Sequence, residues 1–151
     1  MSKQDEAVLI LKLYELLRED TMRKARDWYF RDFNPKSISD FNLSMFSEHS
    51  GTLRAVVHFW EMAAALVNSG AISLDLFIST NDEHIVVFSK IEPWLAHIRE
   101  AFAPEFAVNL EKLIDSVPEG RKLTERARER MKAFGDHFAP KQQRVDRQGW
   151  S

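Results

Sequence analysis

Two His-x-x-Glu pairs are the residues of this chain whose types and spacing come nearest to chemistry. His58 and Glu61 form the first pair, and His97 and Glu100 repeat its spacing. On facing helices, imidazole and carboxylate groups can hold a metal ion between them. However, dimetal bundles use the opposite order, Glu-x-x-His, together with two further carboxylates from other helices. The second pair also projects away from the apolar face of its own helix, so the sequence predicts no metal site.

Motifs of other catalytic classes are missing from the sequence. The five glycines form neither a phosphate-binding loop nor a Gly-x-Ser-x-Gly elbow. The chain has no cysteine, which excludes disulfides, thiolate metal sites and cysteine nucleophiles and suits a reducing cytoplasm. We therefore predict no cofactor and no catalytic residue. An enzyme whose histidine and carboxylate site forms only in three dimensions remains one alternative.

Length and composition indicate one globular domain. The chain has 151 residues, of which 44% are hydrophobic and 29% are charged, as is typical of a folded protein with a core. The apolar stretch at residues 7–17 contains Lys12 and Glu15 and is shorter than the roughly 20 residues of a membrane-spanning helix. Acidic residues precede it, unlike the basic start of a signal peptide. We predict a cytoplasmic protein without a membrane span, with a domain at residues 1–135 and a polar tail at 136–151.

Helical periodicity runs through the sequence, and no sustained strand alternation occurs. A long first helix is predicted over residues 5–33, ended by Asn34-Pro35. Thr80 and Glu83 have the spacing of a capping box that opens a helix of roughly 20 residues. Pro93 should kink or divide that helix, because proline removes a backbone donor.

Five shorter helices complete the expected bundle, and they are predicted at about residues 40–46, 52–68, 74–78, 104–117 and 120–134. Gly70 is placed for a left-handed cap after the second of them. Pro104 is predicted as the first residue of its helix, and Gly135 as the end of the last one. The predicted fold is an all-α, single-domain bundle of five to seven helices.

The helix predicted over residues 52–68 has one narrow polar strip on an otherwise apolar surface. Its polar members are Arg54, His58, Glu61 and Asn68. Two interpretations are open. The strip is the solvent edge of a central helix, because charged side chains are rarely fully buried, or it faces another helix and forms a polar seam or the lining of a pocket.

Several residues of the central region resemble a known bacterial family. They are Phe59-Trp60-Glu61 with the small residues to Ala65, Gly70-x-Ile72, the Asp75-Leu76-Phe77 turn, Trp94 and Ile98-Arg99. Over about residues 50–102 they resemble the helical domain-of-unknown-function family 4760. Many members look as though they begin with a membrane helix, which this sequence lacks, and the resemblance supplies no catalytic residue. It suggests that Arg99, at the edge of its apolar helix face, pairs with Glu61, so that Glu61, His58 and Arg99 form a polar seam. The alternative is that Arg99 and Glu61 each meet only water.

The C-terminal segment is basic, whereas the rest of the chain is acidic. Residues 1–118 contain 12 Lys and Arg against 18 Asp and Glu, and residues 119–151 contain nine against five. The acidic body would repel phosphates, and no aromatic residue interleaves the basic row. We therefore predict no nucleic-acid partner.

The last predicted helix has a narrow apolar stripe and a cationic flank. The stripe consists of Leu123, Ala127, Met131 and Phe134, and the flank of Lys122, Arg126 and Arg130. Arg128 and Lys132 are expected to pair with Glu125 and Glu129 on the same helix. The stripe packs either on the chain's own body or on a second subunit or acidic partner.

The function that the sequence favours is a non-enzymatic interaction module, homo-oligomeric or bound to a protein partner, because no reaction motif is recognisable. A second alternative is a bundle that encloses a small or apolar ligand between its helices.

Overall fold

The computed structural model describes residues 2–138, apart from the side chains of 136–138, and this part of the chain is helical without a strand. The predicted all-α class is confirmed. The elements are α1 (Lys3–Leu17), α2 (Asp20–Arg31), α3 (Ile38–Phe46), α4 (Ser50–Asn68), α5 (Leu74–Thr80), α6 (Glu83–Ile91), a 3-10 turn (Glu92–Trp94), α7 (Leu95–Ala101), α8 (Val108–Asp115) and α9 (Gly120–Phe138). Among these helices, none is both long and apolar enough to cross a membrane.

Helix α4 lies at the centre of the bundle and contacts α2, α3, α6 and α8. It ends at Asn68 because Gly70 adopts a left-handed φ of 86°. The amides of Gly70 and Ala71 then donate to the carbonyls of Val67 and Leu66, which is the Schellman arrangement. The predicted C-terminal cap is confirmed.

The single N-terminal helix predicted over residues 5–33 is wrong, because the chain breaks between α1 and α2. Glu19 precedes α2 with an extended ψ of 145°. The break leaves the carbonyl of Leu17 without a partner in α1, and Arg26 Nη1 donates to it at 3.1 Å. The sequence pattern is helical on both sides of Glu19 and does not signal this break.

The predicted capping box is also wrong. Thr80 belongs to the last turn of α5, and α6 begins only at Glu83, after Asp82. The Glu83 carboxylate binds side chains of α2 and α4 instead. The division at Pro93 is confirmed, since α6 ends at Ile91 and a 3-10 turn separates it from α7.

Two further boundaries differ from the prediction. Pro104 begins a turn, and α8 starts only after Ala107, whose φ of 57° is left-handed. Helix α9 continues through Gly135 to Phe138, so the predicted domain boundary at residue 135 falls inside a helix. The rest of the predicted tail, residues 139–151, lies outside the described residues.

Helix α9 packs on α6. Ala127 is fully buried and Leu123 is half-buried, while Arg128 donates to the Ser89 carbonyl at 3.1 Å. Two interpretations of the apolar stripe were open. Leu123 and Ala127 pack on the chain's own body, as the first of them predicts.

Candidate functional site

The Glu61 carboxylate caps the N-terminus of α8. Its Oε2 accepts from the Asn109 amide at 2.9 Å and from Asn109 Nδ2 at 3.0 Å, and its Oε1 accepts from the Leu110 amide at 2.7 Å. Ala107, the residue before α8, has no side-chain acceptor. A carboxylate from α4 therefore satisfies first-turn amides of α8 and favours the positive end of its dipole. The Glu61 carboxylate therefore occupies the position at the N-terminus of α8 where an anion from solution would bind.

The predicted pair between Glu61 and Arg99 is wrong. Arg99 Nε donates to the Phe106 carbonyl at 2.9 Å, and its Nη1 donates to Glu111 Oε1 at 2.8 Å. Glu61 binds the backbone at the start of α8, whereas Arg99 binds a side chain farther along it. Both residues position α8, but they do so at separate points.

The polar strip of α4 has two halves. Arg54 and His58 are exposed, whereas Glu61 and Asn68 are half-buried. Asn68 Nδ2 donates to the Asn109 carbonyl at 3.0 Å. The first half is thus a solvent edge and the second half is a polar seam against α8. His58 is not part of that seam.

The His-x-x-Glu pairs do not form a metal site in the described residues, where no group of three or more His, Asp and Glu side chains is arranged to hold an ion. His58 and Glu100 are exposed. His97 is half-buried and lies edge-on to the Phe102 ring, with centroids 6.1 Å apart.

Trp60, next to Glu61, takes part in a second polar contact that the sequence analysis missed. Its Nε1 donates to Glu83 Oε2 at 3.0 Å, and Arg26 binds the same carboxylate through Nη2 at 2.6 Å. Because Arg26 also binds the Leu17 carbonyl, the end of α1 and helices α2, α4 and α6 meet here. A buried indole needs an acceptor, but its identity was not readable from the sequence.

Arginines of α9 tie that helix to the body. Arg121 binds Asp115 at 2.7 Å, Glu92 at 2.7 Å and Glu111 at 2.9 Å. The hydrogen bonds from Arg121 hold the pKa of the Asp115 carboxyl below its usual range. Arg128 binds Glu92 at 2.5 Å, so its predicted pairing within α9 is wrong.

The predicted surface residues Lys122, Arg126 and Arg130 are exposed and Met131 is half-buried, and their contact with a second subunit stays a prediction.

A small apolar cavity lies beside His84 and between α5, α6, α8 and α9. Its volume is about 20 Å³, and its walls are Ile78, His84, Ile85, Ile114, Val117, Gly120 and Leu123. That volume is room for about one water molecule, far below the roughly 300 Å³ of a ligand pocket. Burial lowers the pKa of His84 to about 4, with the Asp82 carboxylate opposing the shift.

Large apolar side chains are exposed on α1 and form what we call the α1 outer face. Val8, Leu11 and Tyr14 are 63%, 66% and 59% exposed. The opposite side of the same helix is buried in the core. Contiguous exposed apolar surface on a folded domain marks sites of interaction.

A second exposed surface, the α3–α7 patch, consists of Leu43, Phe46 and Phe102. The rings of Phe46 and Phe102 meet edge to face with centroids 4.9 Å apart. The sequence predicted neither exposed surface, because apolar residues on a helix usually face the core.

Comparison with known proteins identifies a family. The family model described as Domain of unknown function (DUF4760) matches residues 5–117, a wider region than the one that carries the resemblance. No curated protein and no solved structure matches the chain. The chain belongs to the DUF4760 family.

Proposed function

We propose that this DUF4760 member is a non-enzymatic interaction module that self-associates through the α1 outer face. The observation that carries the proposal is the exposure of Val8, Leu11 and Tyr14 on a helix whose other side is already packed. Fully burying one such side chain contributes roughly 1.5–3 kcal/mol. Three of them on each of two subunits favour association.

The spacing of the α1 outer face is self-complementary. Val8 and Tyr14 lie three residues before and after Leu11. Two antiparallel copies of α1 that cross at Leu11 therefore bring Val8 of each copy against Tyr14 of the other. Twofold homodimers are built from contacts of this reciprocal kind.

The charged neighbours of this face also favour the antiparallel arrangement. Glu15 then lies opposite Ala7 of the second copy, and Arg18 opposite Gln4. In a parallel arrangement, Glu15 would face Glu15 and Arg18 would face Arg18, and like charges repel.

A second copy is a better occupant of the α1 outer face than a lipid surface. Residues 2–19 contain three Lys and Arg against four Asp and Glu, whereas helices that lie on anionic membranes are rich in Lys and Arg. The absence of cysteine fits a module of the reducing cytoplasm. The cavity of about 20 Å³ gives no support to the ligand-enclosing alternative.

Light scattering of the full chain over a wide concentration range tests the proposal. We expect the mass to rise from one chain to two, and Leu11→Glu to keep the chain monomeric by placing two carboxylates at the twofold axis. The matched control is Leu43→Glu, an exposed leucine on α3, which should still dimerise.

Three outcomes contradict the proposal. The first is a full chain that is monomeric at every concentration. The second is a dimer that Leu11→Glu leaves intact. The third is binding of anionic vesicles by a monomer that Leu11→Glu abolishes, because this would assign the face to a membrane.

A further inference from the structure

The α3–α7 patch is one continuous surface built by two helices. Leu43 and Phe46 are one turn apart on α3 and are 71% and 58% exposed, and Phe102, directly after α7, is 53% exposed. The edge-to-face contact of the two rings fixes their positions relative to one another. His97 packs against Phe102 from within α7. These side chains therefore form a preformed apolar surface and are not isolated exposed residues.

The two chain segments that carry this patch bear mostly negative fixed charges. Residues 38–51 and 97–107, which include and flank the three apolar side chains, carry Asp40, Glu48, Glu100, Glu105 and Arg99. Arg99 does not offset the carboxylates at the surface, because its guanidinium is held by the Phe106 carbonyl and Glu111. The segments that carry this apolar patch are thus acidic.

We propose that the α3–α7 patch docks a basic amphipathic helix of a protein partner. Apolar side chains of that helix lie on Leu43, Phe46 and Phe102, and its lysines and arginines reach the surrounding carboxylates. Laying one amphipathic helix face on an apolar surface is a recurrent mode of recognition. The charge complementarity speeds encounter and makes binding sensitive to salt.

The same charges disfavour other occupants. Carboxylates repel the phosphates of nucleic acids and of anionic lipids. The first half of the chain's own basic helix, α9, is not available from a second copy, because Leu123 of its apolar stripe is half-buried and Ala127 is fully buried where α9 packs on α6. The patch shares no residue with the α1 outer face, so the proposal is independent of self-association.

The test uses the full chain and a fluorescent synthetic helix with leucines on one face and lysines on both flanks. Anisotropy should show saturable binding that weakens as salt is raised. Phe46→Ser combined with Phe102→Ser should lower the affinity by about tenfold or more. Met62→Ser, at an exposed methionine of α4, is the matched control and should bind like the unmodified chain.

A charge-reversed variant keeps the test decisive if the serine variant does not fold. Glu48→Lys, Glu100→Lys and Glu105→Lys together alter only exposed side chains and should abolish binding of the lysine helix while admitting a helix with glutamate flanks. The proposal is refuted if the unmodified chain does not bind the lysine helix, binds the glutamate helix equally well, or binds equally well after charge reversal. Preference for anionic vesicles over the lysine helix would also refute it.

Discussion

Removing the Glu61 carboxylate should cost more stability than any other single change on the polar strip of α4. Glu61→Ala deletes the acceptor of three hydrogen bonds and leaves the Leu110 amide without a partner in a residue that is fully buried. An unpaired buried donor costs about 1–3 kcal/mol. Loss of a carboxylate at a helix N-terminus adds about 0.3–1 kcal/mol. Because water can reach the half-buried Asn109, we count only one full penalty and expect a loss of about 2–3 kcal/mol.

Urea unfolding followed by circular dichroism measures this loss. Arg54→Ala is the matched control, since Arg54 is an exposed member of the same strip, and it should change the free energy of unfolding by no more than about 0.5 kcal/mol. Hydrogen exchange should quicken at Asn109 and Leu110 in Glu61→Ala. If Glu61→Ala loses no more than the Arg54 control, or if exchange at these amides is unchanged, the capping argument is refuted.

Four other changes test separate features. The pKa of a histidine in the unfolded chain is about 6.5, whereas burial lowers the pKa of His84 to about 4. Because the unfolded chain therefore binds the proton first, the free energy of unfolding should fall by up to about 3 kcal/mol as the pH drops between these values. Urea titrations at several pH values should show a smaller pH dependence for His84→Leu. Lys90 Nζ donates at 2.7 to 3.1 Å to carbonyls of the last turn of α2 and of Phe33, just after it. Lys90→Met should therefore cost about 1–3 kcal/mol of unfolding free energy, and exposed Lys112→Met almost none. Glu119 has a left-handed φ of 59°, so Glu119→Gly should raise or preserve the melting temperature and Glu119→Val should lower it. A chain that ends at Pro118 should lose its cooperative thermal transition, because α6 loses the cover of α9.

Secondary structure could be predicted where its cause is local. Gly70 and Pro93 act through their own backbone chemistry. The helix end predicted from Gly70 and the division predicted from Pro93 are both confirmed. At the break before α2, the freed Leu17 carbonyl is bound by Arg26, nine residues later, and nothing in the residues next to Glu19 signals the break. The capping box failed for a similar reason, since Glu83 is held by Arg26 and Trp60 from other helices.

The candidate site was less predictable, because its partners are backbone groups and distant side chains. The sequence singled out Glu61 as a carboxylate on an apolar helix, but its partners include backbone amides of α8, which any residue carries. Arg99 was correctly expected to reach a carboxylate, and the sequence offered no way to prefer Glu111 over Glu61. The exposed residues of α1 followed an apolar pattern that is indistinguishable from that of a core helix.

The attachment of α9 to α6 has a consequence for how each molecule is made. Helix α6 leaves the ribosome well before α9, and synthesis from Ile91 to Phe138 takes roughly 2–9 s at typical rates. Until then, the Phe88 ring lacks the guanidinium of Arg121, which lies 5.2 Å from its centroid in the folded chain. An uncovered apolar helix face on a nascent chain invites chaperone binding and misassembly. Substitutions that weaken the docking of α9 should therefore first reduce the yield of folded protein.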